Sequence, residues 1–272
     1  MSSSASRACP LCGRDNHDQP ALSLSRDPWL LKHCASCGFT YLENPPGYAA
    51  LEEEYAWEKT SAAEGEHRTR SRPVSKSLSN AFKRFRQRVL KRDKLIDLMR
   101  QHIPRGRVLD IGCADAGILM RLPGKDYIPC GIEISRALAA AAATRVAPLG
   151  GEIVQANALD GARQLPDAHF DGVVMSAFLE HEAQPLELLR ELRRLLKPGG
   201  RGIIKVPNYG SINRRVRGDQ WCGLRFPDHV NYFTPDSLKA MLAKAGLQVC
   251  RFGWADRFPL SDNMWLVFEK SA

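Results

Sequence analysis

From Arg107 onward the chain alternates short apolar runs with longer stretches in which apolar residues recur every three or four positions. The runs are RVLDIG, YIPCGIEIS, EIVQANA, FDGVVMSAF and RGIIKVPN, and the segments between them have the length of helices. The clearest of these, PLELLRELRRLLKPGG, opens with Pro185 in its first turn and closes on a Pro-Gly-Gly stop. Continuous apolar strands separated by amphipathic helices predict a mostly parallel, Rossmann-like α/β sheet of seven strands covered on both faces. A lid-like insertion, Tyr209 to Thr234, precedes a helix in PDSLKAMLAKAG and two last strands, LQVCRFGWA and MWLVFEK.

Upstream of the sheet, Leu78, Phe82, Phe85, Val89, Ile96 and Met99 follow near-helical spacing and predict a helix over 76–103. Seven lysines and arginines between Lys83 and Lys94 surround that apolar face. They suit either a solvated helix surface or an electrostatic landing strip, over 81–94, for an anionic membrane surface. Residues 48–75 read as a polar connector with one short helix around Tyr48 to Trp57. The expected organisation is a cysteine module over 1–47, this connector, and a large domain over 76–272. Within that domain 104–206 form the ligand-binding core, and 207–272 the lid and C-terminal strands.

The first forty residues hold two cysteine pairs, Cys9 with Cys12 and Cys34 with Cys37, separated by 21 residues. Two residues between cysteines let one tight turn supply two thiolates, and four thiolates complete a tetrahedron around Zn²⁺. Gly13 and Gly38 follow the pairs, where such turns need a positive φ. The spacing therefore predicts a zinc ribbon. A site with four protein ligands is closed, so its role is structural.

Composition narrows the picture only slightly. The chain has 272 residues, 44% hydrophobic and 25% charged, which is globular. Its net charge of +9 favours an anionic partner without choosing one. The polar start MSSSASRACP is no secretory signal and no run is long enough to span a membrane, so a cytoplasmic location is expected. There the eight cysteines would stay reduced.

The turn after the first strand of the large domain, Gly112-x-Ala114-x-x-Gly117, is close to the dinucleotide fingerprint. Two details oppose a pyrophosphate. Ala114 places a methyl group where the fingerprint has glycine, and Asp110 and Asp115 flank an expected helix N-terminus. S-adenosylmethionine has no phosphate and carries a sulfonium and an ammonium, which carboxylates compensate. Glu133, 23 residues after Asp110, can accept hydrogen bonds from ribose hydroxyls, and Asn157 can accept the adenine amino group.

The pieces VLDIGCADAG, GIEIS, LEHEAQP, LRRLLKPGG, KVPN and HVNYFTPDSL resemble the class I S-adenosylmethionine-dependent methyltransferases, especially the group near the ubiquinone-biosynthesis O-methyltransferases. The cysteine pairs ahead of such a domain resemble the zinc-ribbon methyltransferases of bacterial sugar and polysaccharide pathways, some of which methylate a sugar carbon. The resemblance implies cofactor contacts from Asp110, Gly112, Ala114 and Gly117 in the turn, Glu133 and Ile134 after the second strand, Asn157 and Ala158 after the third, and Ser176 at the end of the fourth. The chain departs from the family at Ala114 and Ala116, usually glycines, and at Asn157, usually Asp. Ala177 stands where metal-dependent quinone relatives carry a further acid, which argues against a catalytic divalent metal. Asn44-Pro45-Pro46 resembles a motif of amino-group methyltransferases but precedes the sheet.

A hydroxyl or carbon acid must lose its proton during methylation, which calls for a base near the strand tips. His181, with Glu180, follows the fourth strand; His229, with Tyr232, lies in the lid. Trp221 and Phe226 are candidates for a wall of the acceptor pocket. The leading expectation is transfer of a methyl group to oxygen or carbon of a small molecule, most simply a sugar, polysaccharide or related metabolite, anionic or sugar-linked. An RNA methyltransferase gripping RNA through ribbon and basic helix is the alternative. It is disfavoured because the fourth strand ends MSAFLEH, without Asn-Pro-Pro-aromatic, and the basic run lacks stacking aromatics. A non-catalytic binding module and a nicotinamide oxidoreductase are further alternatives, the last opposed by Asp110 and Ala114.

Overall fold

A computed structural model describes residues 6–47, 93–122 and 126–271. The connector over 48–75 and the basic segment over 76–92 lie outside the described residues, and with them most of the expected landing strip. The helix that does follow is α1 (Lys94–His102). Asp93 is its N-cap, extended at φ −99°, with its carboxylate accepting from the Leu95 and Ile96 N–H groups. Of the helix expected over 76–103, the described part begins at Lys94, where the Asp93 carboxylate satisfies the first amides.

The remaining elements follow in order. A hairpin of β1 (Leu31–His33) and β2 (Thr40–Leu42) precedes α1. Then come β3 (Gly106–Ile111), β4 (Tyr127–Glu133), α2 (Arg136–Val146), β5 (Ile153–Gln155), α3 (Ala158–Gln164), β6 (Phe170–Ser176), α4 (Pro185–Leu195) and β7 (Leu196–Pro207). The chain closes with α5 (Ile212–Arg217), β8 (Asn231–Tyr232), α6 (Pro235–Lys244), β9 (Gln248–Arg251) and β10 (Asn263–Glu269).

Seven strands form one sheet in the order β5-β4-β3-β6-β7-β10-β9. The first five run parallel, and β10 pairs antiparallel with both β7 and β9. Successive side chains on a strand face opposite sides, and the core divides accordingly. Leu109, Ile111, Val173, Met175, Ile204 and Val206 join one apolar cluster with α4 and α6. Val108, Val174, Ile203 and Val267 join the other, with α1 and α2. The strand order reverses between β3 and β6, so the crevice at their carboxyl ends is where ligands bind in such sheets.

The cysteine module is not a separate bead. The β1–β2 hairpin and β8 form one three-stranded sheet, with Thr40 opposite Tyr232 and Tyr41 opposite Asn231. Phe39 of the module lies 5.3 Å from Phe233, ring centre to ring centre, and Cys9, Leu11, Cys34, Phe39 and Tyr41 continue the core of the large sheet. The expected boundary at residue 47 thus divides the chain in sequence but not in its hydrophobic core. Asn44 is tied into the module too, accepting from Leu30 N–H and donating to the Pro28 carbonyl.

Candidate functional site

The thiols of Cys9, Cys12, Cys34 and Cys37 converge. Cys9 Sγ is 3.5 Å from Cys37 Sγ, and Cys12 Sγ is 3.5 Å from Cys34 Sγ. A tetrahedron with Zn–S bonds of about 2.3 Å has edges of about 3.8 Å, so the four sulfurs fit that ion. Both turns close alike: Gly13 N–H donates to Cys9 and Gly38 N–H to Cys34, each at 2.8 Å, with φ of +78° and +71°. Burial raises the Cys34 thiol, but the N–H groups of Cys37 and Ser36 overcome it and bring it to about 6.

At the crevice, Gly112 N–H and Cys113 N–H both donate to the Ile132 carbonyl, anchoring the turn to β4. Gly112 has φ +69°, and a Cβ there would meet Phe178 at 2.4 Å. Ala114 and Ala116 occupy the left-handed region at φ +49° and +64°, where glycine is the usual occupant. Gly117 N–H donates to Asp115 Oδ1, while Asp115 Oδ2 pairs with Arg145. The expected α-helix after the turn is absent among the described residues. Only a 3₁₀ turn, Leu119–Arg121, follows, so the helix-dipole part of the case against phosphate does not apply.

Glu133 is held from two sides. Its Oε2 accepts from Ala114 N–H and its Oε1 from Ser135 N–H, both at 2.9 Å. Asp110 is buried, with Oδ2 lacking any partner among the described residues. Burial, reinforced by Glu133, lifts its carboxyl to about 8. Two carboxyl groups at one strand edge, one of them an orphaned acceptor, suit a cationic nucleoside and oppose a phosphate. Ile134 follows β4, and its carbonyl accepts from Gln155 Nε2. Ala158 opens α3, and Ser176 ends β6 opposite Lys205. Asn157 is also the N-cap of α3, with Oδ1 accepting from Asp160 N–H and Nδ2 donating to Asp160 Oδ2. Its amide is committed to the helix, as short polar side chains at that position generally are.

The second cluster lies beyond β6. Donor atoms of Glu180, His181 and His229 fall within 4.8 Å of one another; this set and the four cysteines are the groups of possible metal ligands among the described residues. The two imidazoles meet edge to face, 4.7 Å apart. His181 Nδ1 is 2.9 Å from the Asp228 carbonyl and His229 Nδ1 is 2.8 Å from the Gly223 carbonyl. A carbonyl only accepts, so each Nδ1 carries the proton and the lone pair sits on Nε2. Burial, with Arg225 nearby, lowers His181 to about 4. Burial lifts Glu180 to about 8, and its Oε2 has no hydrogen-bond partner among the described residues.

Tyr232 does not join them. It sits in β8, its ring packed on Tyr209 and Phe226, within a cluster that includes Leu31 and Trp221. Burial pushes its phenol above the ordinary range. Sequence reasoning missed what fixes the histidines. The Glu180 carbonyl accepts from Val230 N–H (2.8 Å) and Asn231 N–H (3.0 Å), and Asn231 Nδ2 donates to the Leu179 and Glu182 carbonyls. Only the asparagine in HVNYF hinted at this, because a polar residue inside an apolar run needs partners.

Comparison with known proteins places the chain. The profile of a family described as "Methyltransferase domain" matches residues 82–251. The ubiquinone biosynthesis O-methyltransferase of Aeromonas salmonicida is 29% identical over 168 residues, 59% of this chain and 70% of that protein. The protein of the same name from Cereibacter sphaeroides is 34% identical over 152 residues, 52% of this chain and 60% of that one. Among solved structures, the [4+2]-cyclase SpnF superimposes with a TM-score of 0.52 at 21% identity, covering 66% of this chain and 81% of that one. That likeness shows the fold alone, and a cyclase on it shows that the fold does not dictate the reaction.

Proposed function

This chain belongs to the methyltransferase-domain family and is a class I S-adenosylmethionine-dependent methyltransferase, and from that premise we propose that it methylates a hydroxyl oxygen of a small molecule, with His229 as the base. When bound, S-adenosylmethionine supplies an electrophilic methyl carbon on a cationic sulfur. On this reading Glu133, preorganised by two backbone N–H groups, binds the ribose, and Asp110 compensates the positive charge. Gly112, Ala114 and Gly117 line the turn, with Ile134, Ala158 and Ser176 at the neighbouring strand ends. Asn157 contributes through the helix it caps.

The observation that carries the proposal is the pair of imidazoles whose tautomers are set by backbone carbonyls beside a buried carboxyl. His229 takes the hydroxyl proton on Nε2. The Glu180 carboxyl lies within 4.8 Å of the ring that gains the charge. His181, held near 4, is a poor proton acceptor at neutral pH and orients its partner edge-on. The lid that carries His229 also carries Tyr209, Trp221, Phe226 and Tyr232, which pack on one another. The relatives named as ubiquinone biosynthesis O-methyltransferases support oxygen as the acceptor atom and a hydroxylated aromatic ring as its bearer. A sugar hydroxyl is the second reading, favoured by the four-thiol cluster at the N-terminus. We further propose that this cluster holds a structural Zn²⁺.

Incubation with methyl-labelled S-adenosylmethionine and either a dihydroxybenzoate or a nucleotide-sugar tests both readings. Label on the aromatic oxygen supports the first, label on the sugar supports the second, and label on a carbon or on neither overturns the hydroxyl assignment. His229→Gln should lower turnover at least 100-fold, as loss of a general base typically does, with cofactor affinity kept; normal turnover removes His229 from the reaction.

A further inference from the structure

The side chain of Arg7 ties the cysteine module to the candidate site. Arg7, two residues before the first cysteine, is half-buried and stretches across the module's edge into the loop after β6. Its Nε donates to the Leu42 carbonyl at 2.8 Å. Its Nη1 donates to the Ala183 carbonyl at 2.6 Å. Its Nη2 donates to the Val230 carbonyl at 2.6 Å and to Asn231 Oδ1 at 3.1 Å. The guanidinium also lies 5.5 Å from the Tyr41 ring centre.

These contacts bracket the candidate catalytic residues. Ala183 is two residues past His181, Val230 follows His229, and Asn231 binds the carbonyls on either side of Glu180 and His181. The Val230 carbonyl that accepts from Arg7 also accepts from Leu42 N–H, so the module's second strand and its arginine hold the same peptide. A fork of fixed donors suits this task, since lysine offers a single charged point and cannot span three carbonyls.

We infer that Arg7 is a positioning residue that sets His181 and His229 against each other, and that the cysteine module is part of the frame of the reaction centre instead of a separate binding module. The inference rests on the assignment of the histidines given above, but its physical content is separable. Without the clamp, the loop over 179–183 loses its Ala183 bond to the module, while the segment over 229–231 keeps the Leu42 N–H bond and the β2–β8 pairing. Sub-ångström drift there separates the two imidazoles and weakens the Nδ1–H bonds that define their tautomers.

The test uses the full chain, ¹⁵N-labelled at histidine, with S-adenosylhomocysteine present. Arg7→Ala should broaden or abolish the slowly exchanging Nδ1–H signals of His181 and His229. Added methylguanidinium should restore them, and the affinity for S-adenosylhomocysteine should stay within twofold. Turnover of the dihydroxybenzoate probe should fall at least tenfold in kcat with KM for S-adenosylmethionine unchanged. Arg7→Lys should show the same loss of signals and keeps the test decisive should the alanine variant misfold. Arg14→Ala, which removes another arginine of the module whose bond runs to Ser36, should change nothing. Sharp signals in both Arg7 variants, or equal loss in Arg14→Ala, overturn the inference. Full turnover in His229→Gln together with lost signals in Arg7→Ala would instead retire the base assignment and leave the clamp standing.

Discussion

At the residue scale the crevice is built around carboxyl groups, and each is treated differently by its surroundings. Glu133 spends one lone pair of each oxygen on backbone N–H groups, which fixes the carboxylate before any ligand arrives. Glu133→Ala should therefore weaken S-adenosylmethionine binding at least tenfold, about 1.4 kcal/mol, by calorimetry; unchanged affinity would refute the ribose role. Asp110 and Glu180 are instead lifted to about 8 by burial. Their unfolded values lie near 4, so between about pH 4 and 8 the folded chain binds more protons than the unfolded one. Their contribution to stability is full below pH 4 and is lost as pH rises through 8. His181, lowered to about 4, has the opposite slope between about pH 4 and 6.5. The decline should thus be plainest from pH 6.5 to 8.5, and Glu180→Gln should flatten it in urea midpoints measured across that range. A slope identical to the parent's would mean that Glu180 is not held protonated.

At the scale of elements, the turn after β3 shows how a local rule can be broken in place. Ala114 and Ala116 adopt a backbone that costs an L-residue about 1–2 kcal/mol, and Ala177 at φ +59° does the same before the His181 loop. Replacing glycine by alanine usually stabilises a chain by restricting its unfolded state, but not where φ is positive. Ala114→Gly should accordingly raise the melting temperature or leave it level, whereas Gly112→Ala should lower it, because its Cβ would collide with Phe178. Thermal melts of the two variants decide this, and a destabilised Ala114→Gly would contradict the strain assigned to the turn. Helix α1 makes a related point. The apolar period ran legibly from Leu78 to Met99, but period alone did not reveal that Asp93 is an N-cap, because a capping side chain leaves the apolar pattern unchanged.

At the scale of the whole molecule, the cysteine module and the sheet share one core and one strand pairing, so they should unfold together. Cys34→Ser should abolish the proposed zinc stoichiometry of one per chain and lower the melting temperature by about 10 °C, the shift expected for roughly 3 kcal/mol in a chain of this size. A soluble Cys34→Ser variant with full zinc and two separate transitions would contradict both the four-thiol site and the common core. Among the described residues no helix is long and apolar enough to cross a membrane.

The sequence by itself determined the strands, the helices between them apart from the one expected after β3, the thiol cluster and the turn that meets Glu133, because each is governed by spacing within a short stretch of chain. It also identified His181 and His229 as reactive types at plausible places. Only the tertiary structure decided that they face each other across 4.7 Å, that Tyr232 belongs to a different cluster, and that Asn157 is a helix cap. It alone brought Arg7 onto carbonyls 176 and 223 residues away. Hydrogen bonds to main-chain carbonyls leave no trace in residue identity, since every position offers the same acceptor, and so the frame around the histidines became visible only when the chain was folded.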